Sequence, residues 1–214
     1  MKKLIASSVL AASALAGVSA PAMADLSANV GYASEYYYRG YLQKESSASA
    51  GLDYETGGFY VGTWAADVGD GLEYDIYGGY GLELGDFTIG AGFTGYYYTG
   101  EFDDTYEEIN LSASWQFISV GYSIGEYDNF GEALDYDYLE VTAEYEGFYA
   151  TYGEFGDDLK GSHFKFGYGA EVGGFDLAIE AIFADDDASD QEDDDGEATE
   201  GEALIFSLSK SFDL

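Results

Sequence analysis

Thr56-Gly57-Gly58-Phe59-Tyr60-Val61-Gly62-Thr63-Trp64-Ala65-Ala66 opens the stretch that decides the fold. A short acidic loop follows, Asp67-Val68-Gly69-Asp70-Gly71, and the chain returns as Leu72-Glu73-Tyr74-Asp75-Ile76-Tyr77-Gly78-Gly79-Tyr80-Gly81-Leu82-Glu83. Leu84-Gly85-Asp86 then turns into Phe87. In the returning segment Leu72, Tyr74, Ile76, Gly78, Tyr80 and Leu82 alternate with Glu73, Asp75, Tyr77, Gly79, Gly81 and Glu83. A period of two puts one set on each face of a strand. One face is apolar and aromatic, and the other is acid and glycine.

The unit repeats. A turn followed by phenylalanine recurs at Phe59, Phe87, Phe117, Phe148 and Phe175, a spacing of roughly 30 residues that fits one β-hairpin per repeat. Short turns at one end and longer loops at the other are how a transmembrane up-and-down barrel is built. Apolar alternation predicts twelve strands: Leu26–Tyr38, Ser47–Glu55, Phe59–Ala66, Leu72–Glu83, Phe87–Tyr98, Tyr106–Trp115, Phe117–Gly125, Tyr136–Glu146, Phe148–Phe155, His163–Val172, Phe175–Ala184 and Ala203–Leu214. Phe117 falls out of register and belongs to its turn, and either face of the ninth strand could be outward. An even strand number brings both termini to one side, the periplasmic one in bacterial outer-membrane barrels. The expected fold is an all-β, antiparallel transmembrane barrel spanning residues 25–214.

The first 24 residues carry the pattern of a secretory signal peptide. Lys2 and Lys3 precede a small apolar run, and Ala22-Met23-Ala24 is a small-x-small cleavage site. The chain's net charge is −35, and loss of Lys2 and Lys3 makes the mature chain more negative still. Phosphate-directed nucleic-acid binding needs Lys and Arg and is excluded as a function class. High charge alone would predict disorder. The 22 Tyr and 14 Phe at alternating positions overrule that reading, and the one proline, Pro21, lies in the leader, so none interrupts a ladder. A soluble sandwich is the competing architecture. It gives no reason for aromatics to gather at both strand ends, where Tyr36-Tyr37-Tyr38, Tyr96-Tyr97-Tyr98 and Tyr106 would mark one membrane edge and the post-turn Phe residues the other.

Tyr36-Tyr37-Tyr38-Arg39-Gly40, Gly51-Leu52-Asp53-Tyr54-Glu55, Gly58 through Val68 and the Glu73-Tyr74-Asp75 strand resemble the TorF family of proteobacterial outer-membrane porin-like proteins. The resemblance is densest from Val30 to Gly100 and continues in pattern to Leu214. It implies a Gram-negative outer-membrane location, a barrel architecture and a transport role. The chain departs from the usual outer-membrane ending on Phe or Trp by closing Phe212-Asp213-Leu214, with Lys210 expected on the lipid face near enough to the edge to snorkel.

Alternation assigns Tyr36 and Tyr38 to the lipid side of the first strand. It puts Glu35, Arg39, Asp53, Asp75, Glu108, Glu140, Glu144, Lys165, Glu171 and Glu180 on the lumen face as pore candidates. Glycine and serine interleave with them, at Gly79, Gly92, Ser112 and Gly167 among others, and predict room for water. Twelve strands ~4.8 Å apart and tilted about 40° enclose a backbone diameter of roughly 24 Å. The competing reading is a plug in which Arg39, Lys165 and the acids pair off. Carboxylates outnumber the bases, so a wet, cation-preferring lumen is expected. No cofactor is expected, and the partners are outer-membrane lipid and lipopolysaccharide.

Between strands, residues 39–47, 66–71, 99–105, 126–135, 156–161 and 185–201 read as loops. The last holds Asp185-Asp186-Asp187 and Glu192-Asp193-Asp194-Asp195. It fails the calcium-loop test, since Gln191 occupies the first ligand position and strands flank the run. Loose binding of divalent cations at Asp186, Asp193 and Asp195 is the expectation. A non-conducting surface barrel with acidic loops is the alternative function. An outer-membrane hydrolase is a remote one, because the single histidine, His163, neighbours Ser162 on the opposite strand face. The chain is read as a non-enzyme.

Overall fold

Each hairpin foreseen from the alternation forms, and the last strand pairs with the first. In the computed structural model residues 25–189, 191–192 and 198–214 are described; the leader expected over 1–24 lies outside them. The strands are β1 (Asp25–Tyr38), β2 (Tyr41–Thr56), β3 (Phe59–Gly69), β4 (Gly71–Leu84), β5 (Phe87–Tyr98), β6 (Tyr106–Trp115), β7 (Ile118–Tyr127), β8 (Leu134–Tyr145), β9 (Phe148–Asp157), β10 (Ser162–Val172), β11 (Phe175–Ala184), a two-residue ribbon β12 (Gln191–Glu192) with β13 (Ala198–Thr199), and β14 (Gly201–Asp213). All but β12 and β13 form one closed antiparallel barrel of twelve strands. Closure runs from Ser27↔Asp213 to Ala33↔Ser207 between β1 and β14.

Tight turns join the strands at one end. Gly57 and Gly58 lie at φ +57° and +89°, the left-handed region that a two-residue hairpin of matching twist demands. A Cβ on Gly58 would also run into the Gly81 carbonyl and the Tyr80 ring. The other end carries the longer connections and, among the described residues, the one 3-10 turn, Asn129–Gly131.

The outer wall is apolar. Leu52, Val61, Ile76, Ile89, Ile109, Leu111, Ile124, Phe166, Ile179 and Phe206 all lie exposed on it. Exposed apolar area of this extent on every strand has one fitting solvent, the acyl chains of a bilayer. Aromatic pairs sit at the turn end, with Phe59 against Tyr80, Phe87 stacked on Trp115 and Phe148 against Tyr168. Lys210 pairs with exposed Val30 and lies 4.7 Å from the Phe175 ring centroid and 5.4 Å from that of Phe212. β9, undecided by alternation, turns Thr151 and Phe155 inward and Phe148 and Tyr152 outward.

Two expectations are corrected at the first hairpin. The loop expected over 39–47 is strand from Tyr41 onward, paired Tyr38↔Tyr41, Tyr37↔Leu42 and Tyr36↔Lys44. Tyr41 to Ser46 carries no apolar alternation, so the pattern that marks lipid contact could not mark this strand. Tyr36 and Tyr38, assigned to lipid, are buried at 4 % and 8 % exposure inside the barrel. The cause is a departure of the hairpin from the wall. β1 pairs with β14 only as far as Ala33, and β2 pairs with β3 only from Ser49. Beyond those points the two strands pair with each other alone. Ser46 lies at φ +65° at the departure, and a bulge follows at Tyr36/Tyr37. Ser34 Oγ accepts from the Phe206 amide, a side chain standing in for the missing ladder bond.

A charge on the wall tests its solvent. Leu111→Arg at mid-strand should lower folding stability by roughly 2–4 kcal/mol, and Leu84→Arg at the turn edge by about 0–1 kcal/mol, read from denaturant midpoints for refolding into phospholipid vesicles. Equal small effects at both positions would contradict a lipid-facing wall.

Candidate functional site

The barrel interior is organised around one carboxylate. Glu108, on the lumen face of β6, accepts from Arg39 Nη1 and Nη2 at 2.8 Å each, from Tyr96 Oη at 2.9 Å and from Tyr136 Oη at 2.9 Å. β6 is separated from β1 by four strands on one side and six on the other, so this bidentate pair spans the lumen. Arg39 Nη2 also donates to Ser123 Oγ at 3.2 Å. The guanidinium carbon lies 4.2 Å from the Tyr138 ring centroid and 5.0 Å from that of Tyr38. Charge pairing, planar donors and aromatic faces together suit a buried arginine.

The rest of the tip is packed as firmly. Tyr36 Oη donates to Glu73 Oε1 at 2.6 Å, and its ring meets Trp64 edge-on. Tyr41 Oη donates to the carbonyls of Lys160 at 2.6 Å and Asp187 at 3.1 Å, which fastens the tip to two loops. Lys44 donates to Asp67. Gly40 lies at φ +103°, which strains any L side chain, and a Cβ there would press on His163 and Ala188 at 3.2 and 3.3 Å. Tyr38, Tyr96, Tyr136, Tyr138 and Phe155 form a buried aromatic cluster around the arginine. The tyrosines expected to ring the membrane edge are therefore inside: Tyr36, Tyr38, Tyr96, Tyr98 and Tyr106 face the lumen, while Tyr97 stacks on Tyr74 outside.

The lumen glycines do a different job from the one expected. A Cβ on Gly79 or Gly92 would strike Tyr60, one on Gly62 would strike Tyr77, and one on Gly167 would strike Tyr149. The space is taken by tyrosine rings lying across the glycines, not left to solvent. Three of these contacts are direct cross-strand pairs, Tyr60↔Gly79, Gly62↔Tyr77 and Gly167↔Tyr149. Such pairs are legible once the hairpin register is written down, and they are the functional residues that alternation alone missed.

The structure places the expected pore candidates unevenly. Arg39 and Glu108 meet at the loop end, with Asp75 buried nearby on β4. Glu35, Arg39, Lys165 and Glu180 line one small recess, which Tyr36 and Tyr37 wall on the tip side. Lys165 Nζ stands 3.9 Å from Glu180 Oε2, and Tyr149 Oη donates to Glu180 at 2.8 Å. Glu140 takes the Tyr138 hydroxyl at 3.3 Å. Asp53 takes those of Tyr77 and the amide of Asn29. Glu144 and Glu171 are exposed at the turn end, where Glu171 opposes Asp176 directly. Among the described residues only Glu108, Asp67 and Glu180 have a basic partner.

Ser162 donates both its amide and its hydroxyl to Asp185 Oδ2, whereas His163, on the opposite strand face, is buried under the tip inside the barrel, parallel to Tyr138. Asp186 is exposed in its loop; Asp193 and Asp195 lie outside the described residues. Among the described residues no three acid, histidine or cysteine side chains are placed to hold a metal ion.

A model of a bacterial family of unknown function, Gcw_chp, matches residues 16–212. The chain belongs to the Gcw_chp family. No curated protein matches it. Among solved structures, the KdgM porin superposes with a TM-score of 0.58 over 87% of this chain and 99% of its own, at 8% identity. The same porin in complex with disordered oligogalacturonate gives 0.55, at 7% identity, over 87% and 98%. A chain from work on in-meso crystallization of membrane proteins gives 0.62, at 9% identity, over 89% and 84%. At such identities the likeness is one of fold, and it places this Gcw_chp chain among porin-like barrels.

The tyrosine-over-glycine packing makes a specific demand. Gly167→Ala should destabilise the folded barrel by about 1–3 kcal/mol through overpacking. Adding Tyr149→Ala should recover much of that loss, giving a coupling of roughly 0.5–3 kcal/mol in a double-mutant cycle of urea midpoints. Additive effects would mean the ring does not fill the glycine's space.

Proposed function

We propose that this Gcw_chp protein is a porin-like channel of the Gram-negative outer membrane, passing cations or small hydrophilic solutes through an acidic lumen. The observation that carries the reading is the imbalance of charge on the inner wall. Asp53, Glu55, Glu140, Glu144, Glu171 and Asp176 face inward, partly or fully exposed and without a basic partner among the described residues, against Arg39 and Lys165, which are each engaged with a glutamate. Carboxylates that are not neutralised by protein need water or mobile cations. Rings of acids raise the local cation concentration and favour cation passage. The KdgM-like fold and the resemblance to TorF proteins support the same reading. In this orientation the turn end and both termini are periplasmic, and lipid and lipopolysaccharide surround the wall. No cofactor or catalytic step is assigned, and the acidic loop 185–201 is read as a loose cation binder.

One observation favours a second reading, a non-conducting surface barrel: the first hairpin's tip and its tyrosines occupy the loop end of the lumen. Planar-bilayer recording separates the two. The channel reading expects single-channel steps whose reversal potential in a salt gradient has the cation sign. Replacing Glu55, Glu144 and Glu171 together by Gln should reduce that preference, because all three sit solvent-exposed at the turn-end mouth. Anion sign in the wild type would sink the proposal, and silence from folded protein, including a variant with the tip released, would leave the surface role.

A further inference from the structure

We infer that the tip of the first hairpin, residues 34–48, is a built-in plug with Arg39 as its latch, a tethered cation seated in the lumen's own carboxylate site. The inference rests on the channel reading above and adds a regulation to it. Three observations carry it.

The tip has left a place in the wall that stays open to it. Gly201 to Phe206 of β14 pair with β11 on one side and have no ladder partner in β1 on the other. Asp67 to Gly69 of β3 likewise have no ladder partner in β2, where Ser47 Oγ donates to the Asp67 carbonyl instead. Strand edges outside a ladder are templates for pairing, and here two of their backbone groups are held by serines of the tip, the Phe206 amide by Ser34 and the Asp67 carbonyl by Ser47. The same hairpin therefore has two bonding arrangements, one inside the lumen and one continuing the wall.

The departure point is built as a hinge. The β1–β2 register loses a pair between Ala33↔Ser47 and Glu35↔Glu45, with Ser46 at φ +65° beside the gap and the bulge two residues further on. Changes of a few backbone angles at such a point swing the tip as a unit.

Among the contacts holding the tip inside, which include Tyr36 to Glu73 and Lys44 to Asp67, one ion pair crosses the lumen to β6. Arg39 reaches Glu108 across the lumen at 2.8 Å, and the Glu108 oxygens also take Tyr96 and Tyr136, so the guanidinium lies in a carboxylate-and-aromatic cage. Such a cage binds a planar cation whether or not it is attached to the chain. Without Arg39 the tip loses its cross-lumen tie and the cage is left open to free guanidinium.

The chain has no cysteine, so a single introduced thiol reports on the lumen without background. Ser207→Cys lines the recess beneath the tip. In the Arg39→Gly background, where glycine also suits the φ of +49°, a water-soluble maleimide should label Cys at this position at least tenfold faster than in the Arg39 protein. Single-channel conductance should rise severalfold. Millimolar guanidinium should reverse both effects, and urea at the same concentration should not. Glu108→Gln keeps the side-chain volume and should release the tip as well, with no response to guanidinium; it serves where Arg39→Gly fails to fold. Unchanged labelling and conductance in a folded Arg39→Gly or Glu108→Gln barrel overturn the plug. Faster labelling reversed by guanidinium, with bilayers silent throughout, supports the plug and removes the channel reading instead.

Discussion

Closure between β1 and β14 is the constraint on which everything else rests. In hydrocarbon an unpaired backbone amide or carbonyl costs several kcal/mol, so a membrane-spanning sheet must return to its first strand. Here seven residue pairs, Ser27↔Asp213 to Ala33↔Ser207, accomplish this. They cover the stretch where the outer residues, Val30 and Tyr32 on one strand and Phe212 on the other, are apolar and exposed. Above Ala33 the hairpin leaves the wall within two residues, although Leu204 and Phe206 of β14 are still apolar and exposed there.

Once free of the wall, the tip is governed by a different balance. A buried guanidinium and a buried carboxylate each carry a large desolvation cost, and the pair is tolerable when every polar atom is bonded. Glu108 meets that condition with four donors, and Arg39 with a bidentate partner, Ser123 and three aromatic faces. The aromatic rings around them exclude water, and exclusion strengthens the ion pair. At the turn end the acids Glu144, Glu171 and Asp176 have no such arrangement and stay in contact with solvent. The lumen is thus closely packed around one ion pair at one mouth and lined by exposed acids without a basic partner at the other.

The barrel was legible in the sequence because lipid contact enforces strict alternation. Phe87, Ile89, Ala91 and Phe93 could be assigned to one face before any coordinates, and Phe117 could be placed in its turn. Alternation speaks only of where lipid is, however. Tyr41 to Ser46 forms strand without touching lipid and was invisible to it. Tyr36 and Tyr38 obey the apolar rhythm of β1 yet lie inside, since a strand that has left the wall has lumen on both faces: Tyr36 meets Glu73 and Trp64, while Glu35 and Tyr37 look toward Lys165 and Glu180. Glycine on the inner face was misread as empty space. The registers of β3 with β4 and of β9 with β10 put a tyrosine opposite Gly62, Gly79 and Gly167, and a ring covers a missing side chain better than water does.

These two failures of alternation have the same physical origin. Tyrosine is apolar enough to pass for a lipid-facing residue and polar enough to hydrogen-bond a buried acid. In this barrel its hydroxyls point at carboxylates repeatedly, from Tyr36 to Glu73, Tyr77 to Asp53, Tyr96 and Tyr136 to Glu108, Tyr127 to Asp103 and Tyr149 to Glu180. A chain this acidic with so few bases cannot neutralise its inner wall by ion pairs. Tyrosine offers a donor without adding charge, so many carboxylates of the wall are hydrogen-bonded without being neutralised, although Glu73 Oε2 and Asp75 Oδ1 stay buried without a partner. The single arginine that does enter therefore acts on a lumen otherwise left negative, and its position decides whether that field faces a filled passage or an open one.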